Sequence, residues 1–237
     1  MKLIYKVLIL IVYIFLPFIS ILRIYKKKEN IKSIKQKIGN YNIKPKKKII
    51  WFHGSSVGEV LSVVPLIQEL EKNNNIDQIL ITSSTLSSGK VLSNIKFKKT
   101  VHQYYPIDVT FIVEKFLNYW KPKTCIFIES EIWPNMVEKI KEKKIPLILL
   151  NARITKKSFK RWSKIRLFSE NIFSKFDLCA PQNKETHSYL KKLGSKKLKN
   201  LGNLKLCDTK QKSLFKLKSS QKKFFKSKKV VLTGYST

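Results

Sequence analysis

Between residues 49 and 181 the chain alternates short apolar runs with turns and with apolar residues at helical spacing, and this alternation constrains the fold more than any other feature. The runs are Ile49–Phe52, Gln78–Thr82, Val101–Tyr105, Thr124–Ile128, Pro146–Leu150 and Asp177–Pro181. Each is too short for a buried helix and is bounded by turn residues, as in a strand buried on both faces. Strands that alternate with helices pair in parallel, because each helix supplies the crossover, and the helices cover both faces of the sheet. The expected fold is therefore α/β: a Rossmann-like domain with a mostly parallel sheet. No GxGxxG follows the first strand, so no nicotinamide or flavin cofactor is expected.

The first unit carries the clearest site signal. After Lys46-Lys47-Lys48 and the strand through Phe52, the small residues Gly54, Ser55, Ser56 and Gly58 make a tight turn. Val57, Val60, Leu61, Val64 and Ile67 then fall at helical spacing, with Pro65 expected to kink the helix. In open α/β sheets, ligands bind at the carboxyl ends of strands, where such turns sit. The amides of a helix start favour an anion or a carboxylate, so Ser55 and Ser56 are candidate binding residues. Glu59 lies in that first turn. It is either an acid that complements the helix dipole or a general base at the mouth of a cleft. The helix start lowers its pKa and burial raises it. A second carboxylate site follows the fourth strand in Glu129-Ser130-Glu131-Ile132-Trp133-Pro134-Asn135. In extended chain both acids point to one side, where one can stay ionised while the other holds a proton.

The rest of the domain has plainer signals. Ser83–Gly89 is a hydroxyl-rich turn that caps a helix through Ile95, and Pro106 and Asp108 open another carrying Phe111, Ile112, Phe116 and Leu117. Asn151-Ala152-Arg153 follows the fifth strand. One long basic helix is expected from Thr155 through Phe176, and a last helix from Asn183 to Leu193 stops at Gly194. Residues 209–237 read as a Lys- and Ser-rich linker and then a first strand, Val230–Thr233, of an incomplete second domain.

Ahead of the domain, Val7–Leu22 is uncharged and apolar and is followed by Arg23, Lys26, Lys27 and Lys28. Extended toward the start by Leu3, Ile4 and Tyr5, with Lys6 able to snorkel, the whole segment is just long enough to span a bilayer, and its positive flank belongs on the cytoplasmic side. Residues 1–25 are thus expected to be an uncleaved transmembrane anchor, residues 26–48 a basic connector and residues 49–208 the Rossmann-like domain. The formal charge is +34, from 49 Lys+Arg against 15 Asp+Glu. Such charge suits an anionic membrane surface. No nucleic-acid partner is expected, because Arg, the preferred bidentate phosphate ligand, is scarce and no recognised module accompanies the charge. Cys125, Cys179 and Cys207 stand far apart and read as reduced residues. His53, His102 and His187 lack metal-ligand spacing, so no metal site is expected.

Taken together, these motifs resemble the 3-deoxy-D-manno-octulosonic acid (Kdo) transferases of lipopolysaccharide synthesis. Trp51, His53, Ser56, Val57, Gly58 and Glu59 match a W-x-H-x-x-S-V-G-E string. Pro106, Asp108 and Pro122, then Glu129, Glu131, Ile132, Trp133, Pro134 and Asn135, match P-x-D, P and E-x-E-[LI]-W-P-N. Asn151-Ala152-Arg153, then Gly202, Asn203 and Lys205, and finally Ser236-Thr237 match the later strings. The departures are Gly54 where Ala is usual, Thr155 where Ser is usual, and a family sequence that continues for about as long again.

The resemblance implies a GT-B glycosyltransferase at the cell inner membrane, with its catalytic domain on the cytoplasmic side. This part would take the lipid A precursor (lipid IVA), and a second, truncated domain would bind the CMP-Kdo donor. It implies an inverting displacement with Glu59 as general base and Glu129 or Glu131 in support. Ser55, Ser56 and Arg153 would face the acceptor, and Lys205, Ser236 and Thr237 the donor. The donor is a substrate, and no cofactor is implied. The alternative expectation is an inactive membrane-anchored remnant that at most binds the lipid acceptor.

Overall fold

The structure, a computed structural model, describes residues 2–202 and residue 204. Lys205, Ser236, Thr237, Asn203, Cys207 and the linker and strand expected over 209–237 lie outside the described residues. Everything described below lies in one compact unit within residues 1–204.

Six strands form one parallel sheet: β1 (Ile49–His53), β2 (Gln78–Ser83), β3 (Thr100–Tyr104), β4 (Thr124–Ile128), β5 (Leu147–Ala152) and β6 (Leu178–Pro181). Their order is β3-β2-β1-β4-β5-β6, so the chain starts at the centre, winds to one edge, returns and winds to the other. Every strand lies within two residues of its sequence expectation. Alternation along β1 explains the two-sided core. Ile49 and Trp51 enter a cluster with Phe116, Trp120, Phe127 and Phe173. Phe52, on the opposite face, joins Val60, Val63, Val64, Ile67 and Ile81. The second cluster contains the buried stripe of α4 (Val57–Leu70), which runs on through Pro65.

Two helices were not anticipated. The segment read as a connector carries α3 (Ile31–Lys37), too short for a clear apolar period but closed by a reciprocal Asn30–Ser33 capping box. It covers the open edge of the sheet, where Gln36 Oε1 accepts the Tyr104 amide of β3 at 3.1 Å. The other is α7 (Pro134–Glu142). Its N-cap, Trp133, makes no side-chain cap, so apart from Pro134 at its first position the usual start signal is missing from its own sequence. Conversely, the single helix expected over 155–176 is two, α8 (Lys156–Ser163) and α9 (Arg166–Phe173). The bend at Lys164–Ile165 brings Phe168 back to stack on Trp162, with centroids 6.3 Å apart. The helices expected after β2, β3 and β6 are present as α5 (Leu86–Ser93), α6 (Thr110–Trp120) and α10 (Lys184–Lys192).

Gly194 follows α10 at φ +99°, where a Cβ would stand 2.8 Å from Glu170 Cα. We expect Gly194→Ala to cost about 1–3 kcal/mol through left-handed strain and overpacking, read as a lowered urea midpoint with an unchanged slope.

The N-terminal segment is not one straight span. α1 (Lys2–Ile14) and α2 (Leu16–Tyr25) meet at an angle of 57°, and no single helix among the described residues is long and apolar enough to cross a membrane. The pair satisfies length and composition only when taken together. Pro17, in the first turn of α2, has no N–H to continue the ladder across the break. One face of α1 lies on the domain: Tyr5 is 6.4 Å from Phe168 and Tyr13 is edge-on to Phe111 at 5.2 Å. Leu3, Ile4, Leu8, Ile11, Phe18 and Ile21 remain exposed.

Candidate active site at the sheet reversal

The strand order reverses between β1 and β4, and the crevice outside the carboxyl ends of such a pair is where open α/β sheets bind ligands. Glu59 arrives there on α4, and Glu129 and Glu131 on the loop after β4. The helix start has two hydrogen bonds of its own. Ser56 is the N-cap and accepts from the Glu59 amide at 3.4 Å, while Glu59 Oε2 accepts from the Ser55 amide at 2.6 Å. Glu59 is half-buried and leans over the turn. Gly54 leaves room for it, since a Cβ there would lie 3.0 Å from Glu59 Cβ.

Glu131 is 9% exposed and tied on both sides: His53 Nε2 lies 3.0 Å from Oε2, and Trp133 Nε1 donates to the same oxygen at 2.8 Å. The other ring nitrogen of His53 lies 3.0 Å from Thr82 Oγ1. The imidazole stacks on Tyr105 with centroids 3.7 Å apart, and Tyr105 in turn contacts Trp51 and Trp133. A carboxylate is thus held by a fully buried histidine inside an aromatic ladder. In the sequence His53 stands as a motif position and as one of three histidines without metal-ligand spacing. Its two-residue offset from Trp51 on β1 puts both on one face, a signal available in the sequence.

These surroundings drive the two acids apart. Burial raises Glu59, the neighbouring charge of Glu131 raises it further, and the Ser55 amide only partly offsets this. Glu131 is also pushed up by burial, but the His53 contact and Trp133 outweigh it and hold it below the ordinary glutamate value. An acid held toward its ionised form beside one pushed toward its protonated form is the pattern of an acid–base pair. The opposed shifts are those of Glu59 and Glu131.

Backbone strain collects at the same strand ends. Glu129 (φ +58°) and Asn151 (φ +52°) both sit in the left-handed region, which costs a non-glycine residue about 1 kcal/mol. Hydrogen bonds hold them there: the Glu129 amide donates to Leu150 O, and the Arg153 amide donates to Glu129 O at 3.1 Å. The Arg153 side chain is exposed. Asn151 Oδ1 accepts the Leu204 amide at 3.3 Å, bringing the end of the described chain to this edge. Among the described residues no group of three His, Cys, Asp or Glu side chains is placed to hold a metal ion. Cys125 and Cys179 are buried free thiols.

Asp108 is 1% exposed and is explained by α7. It accepts from the amides of Asn135 at 3.0 Å and Met136 at 2.8 Å, while Asn135 Nδ2 donates to its carbonyl. It therefore caps a helix 27 residues away, and the P-x-D and W-P-N strings are two halves of one structural device.

A family profile described as 3-deoxy-D-manno-octulosonic-acid transferase (kdotransferase) matches residues 32–207. The chain belongs to this family. Among curated relatives, the 3-deoxy-D-manno-octulosonic acid transferase of Rickettsia bellii is 35% identical over 220 residues, 90% of this chain and 51% of its own. Those of Rickettsia prowazekii and Haemophilus influenzae are 39% and 31% identical over 68% and 66% of this chain, and 35% and 37% of theirs. The chain thus spans about half the length of the curated relatives it matches, or less. Among solved structures, the UDP-N-acetylglucosamine 2-epimerase of Rickettsia bellii superposes with a TM-score of 0.50 at 16% identity, over 72% of this chain and 49% of that one. At that identity the likeness concerns fold alone: α/β with a parallel sheet.

Proposed function

We propose that this chain is the acceptor-side lobe of an inverting glycosyltransferase that moves Kdo from CMP-Kdo to a lipid A precursor, lipid IVA, at the cytoplasmic face of the inner membrane. The observation that carries the reading is the split between Glu59, raised by burial and by Glu131, and Glu131, held ionised by His53. In this scheme Glu59 takes the proton of the acceptor hydroxyl as its oxygen attacks the anomeric carbon and the bond to the CMP phosphate breaks. The CMP phosphate leaves with the bonding pair, and Lys205, together with Ser236 and Thr237 at the start of the second domain, stabilises it. Glu131 fixes the charge that keeps Glu59 basic. Glu129, Ser55, Ser56 and Arg153 shape the acceptor side. The exposed apolar face of α1 and α2 and the surplus of lysine support seating on anionic lipid.

The test is incubation with CMP-Kdo and lipid IVA, using the chain alone and joined to the C-terminal half of the Rickettsia bellii relative. Gain of Kdo by the lipid is read by mass spectrometry, and absence of transfer by both forms would refute the reading. Glu131→Gln provides a sharper check. Removing its charge lets the Glu59 pKa fall, and a base works only when deprotonated. The acid limb of kcat/KM should therefore move to lower pH, whereas an unmoved limb would detach Glu131 from the base.

A further inference from the structure

The loop that carries Glu131 is anchored at one end by the sheet and at the other by Asp108, and Asp108 has one more partner. Tyr5 Oη, from the first turns of α1 and 103 residues away in sequence, donates to Asp108 Oδ2 at 2.6 Å. The same Oδ2 accepts the Asn135 amide, and Oδ1 accepts that of Met136. Asn135 is two residues from Trp133, whose indole N–H binds Glu131. A continuous set of hydrogen bonds and two covalent steps therefore joins the N-terminal helix to the ionised acid of the site.

We infer that Tyr5 is a positioning residue: its hydroxyl, acting through Asp108, holds the Glu131–Trp133 loop in register with His53, so that seating of α1 on the domain and order at the carboxylate site rise and fall together. Three features support this. Asp108 is buried and α7 has no cap of its own, so the first turn of that helix depends on this carboxylate. The Tyr5 hydroxyl also opposes the effect of burial on Asp108: burial raises its pKa, the hydrogen bonds from Tyr5, Asn135 and Met136 pull it back, and the balance stands at about 6. Finally, α1 presents its opposite face, including Leu3, Ile4, Leu8 and Ile11, to the surroundings, so its seating responds to whatever that face meets. A helix that only packed on the domain would not need a hydroxyl directed at a buried carboxylate. The consequence for turnover rests on the function proposed above, but the coupling itself does not.

The test is Tyr5→Phe, which keeps the ring contact with Phe168 and removes only the hydroxyl. In detergent-solubilised chain, the indole N–H resonance of Trp133, assigned with Trp133→Phe, is expected to shift while that of Trp120 stays in place. Amide exchange in the first turn of α7 should quicken roughly tenfold, the scale of one lost hydrogen bond, with exchange in α10 unchanged. Asp108→Asn should shift the same resonance in the same direction. A Trp133 resonance and an α7 exchange rate identical to wild type in Tyr5→Phe would overturn the inference. If wild type transfers no Kdo and the resonance still shifts, the proposed function fails and the coupling stands. If transfer occurs and the resonance is fixed, the reverse holds. In an active form, kcat should fall severalfold with KM little changed, because loop order, not acceptor contact, is lost.

Discussion

Glu59→Gln should abolish transfer without unfolding the lobe. Removing a general base costs roughly a hundredfold to ten-thousandfold in rate, and Gln keeps an oxygen that can still accept the Ser55 amide. The stability prediction has the opposite sign. Because the folded-state pKa of Glu59 lies above its unfolded value, the folded protein binds the proton more tightly, and stability falls as pH rises from the ordinary glutamate range through the raised folded value. Gln has no such penalty. The variant should therefore be no less stable than wild type at pH 7, while the two converge in acid. Kdo transfer assayed beside urea unfolding at pH 4 and pH 7 would check both halves. A variant that turns over normally would remove the base, and one that unfolds would make Glu59 a structural acid.

The largest stability loss should come from Asp108→Ala. Two amides of α7 and the Tyr5 hydroxyl lose their acceptor inside the fold, and buried unmet donors with a lost cap together cost about 2–4 kcal/mol. The pH dependence identifies the group. Burial raises Asp108 from 3.8 to about 6, so its ionisation opposes folding, and wild-type stability declines as pH rises across that interval and levels above it. Alanine does not titrate, so the gap between wild type and variant should narrow from pH 4 to pH 6 in urea melts. A constant gap would mean that Asp108 titrates alike in the folded and unfolded chain.

Much of this was legible from residue order. The strands were visible because a sheet buried on both faces demands unbroken apolar runs, and Glu59 was visible because a glycine- and serine-rich turn opens a helix at a strand end. What was hidden depends on contacts between distant residues. The start of α7 could not be read locally, because its cap comes from the turn before α6. His53 gave no local sign that it would hold Glu131, since that pairing requires β1 and β4 to be neighbours across five intervening elements. The N-terminal run looked like a plain span because hydropathy does not register two tyrosines turned toward a domain, or the break that Pro17 introduces.

The placement of α3 also bears on how this polypeptide can be handled. A parallel sheet has two open margins, and one of them, β3, is shielded by a short helix that a hydropathy plot would discard along with the greasy leader. A fragment trimmed at residue 48 to gain solubility would strip that shield and leave a row of bare amides and carbonyls free to recruit another copy, exchanging one route to precipitation for another. A cut that keeps the shield falls ahead of Glu29, whose carboxylate accepts from Ser33 and pairs with Lys37, and it forgoes the contact of Tyr5 with Asp108.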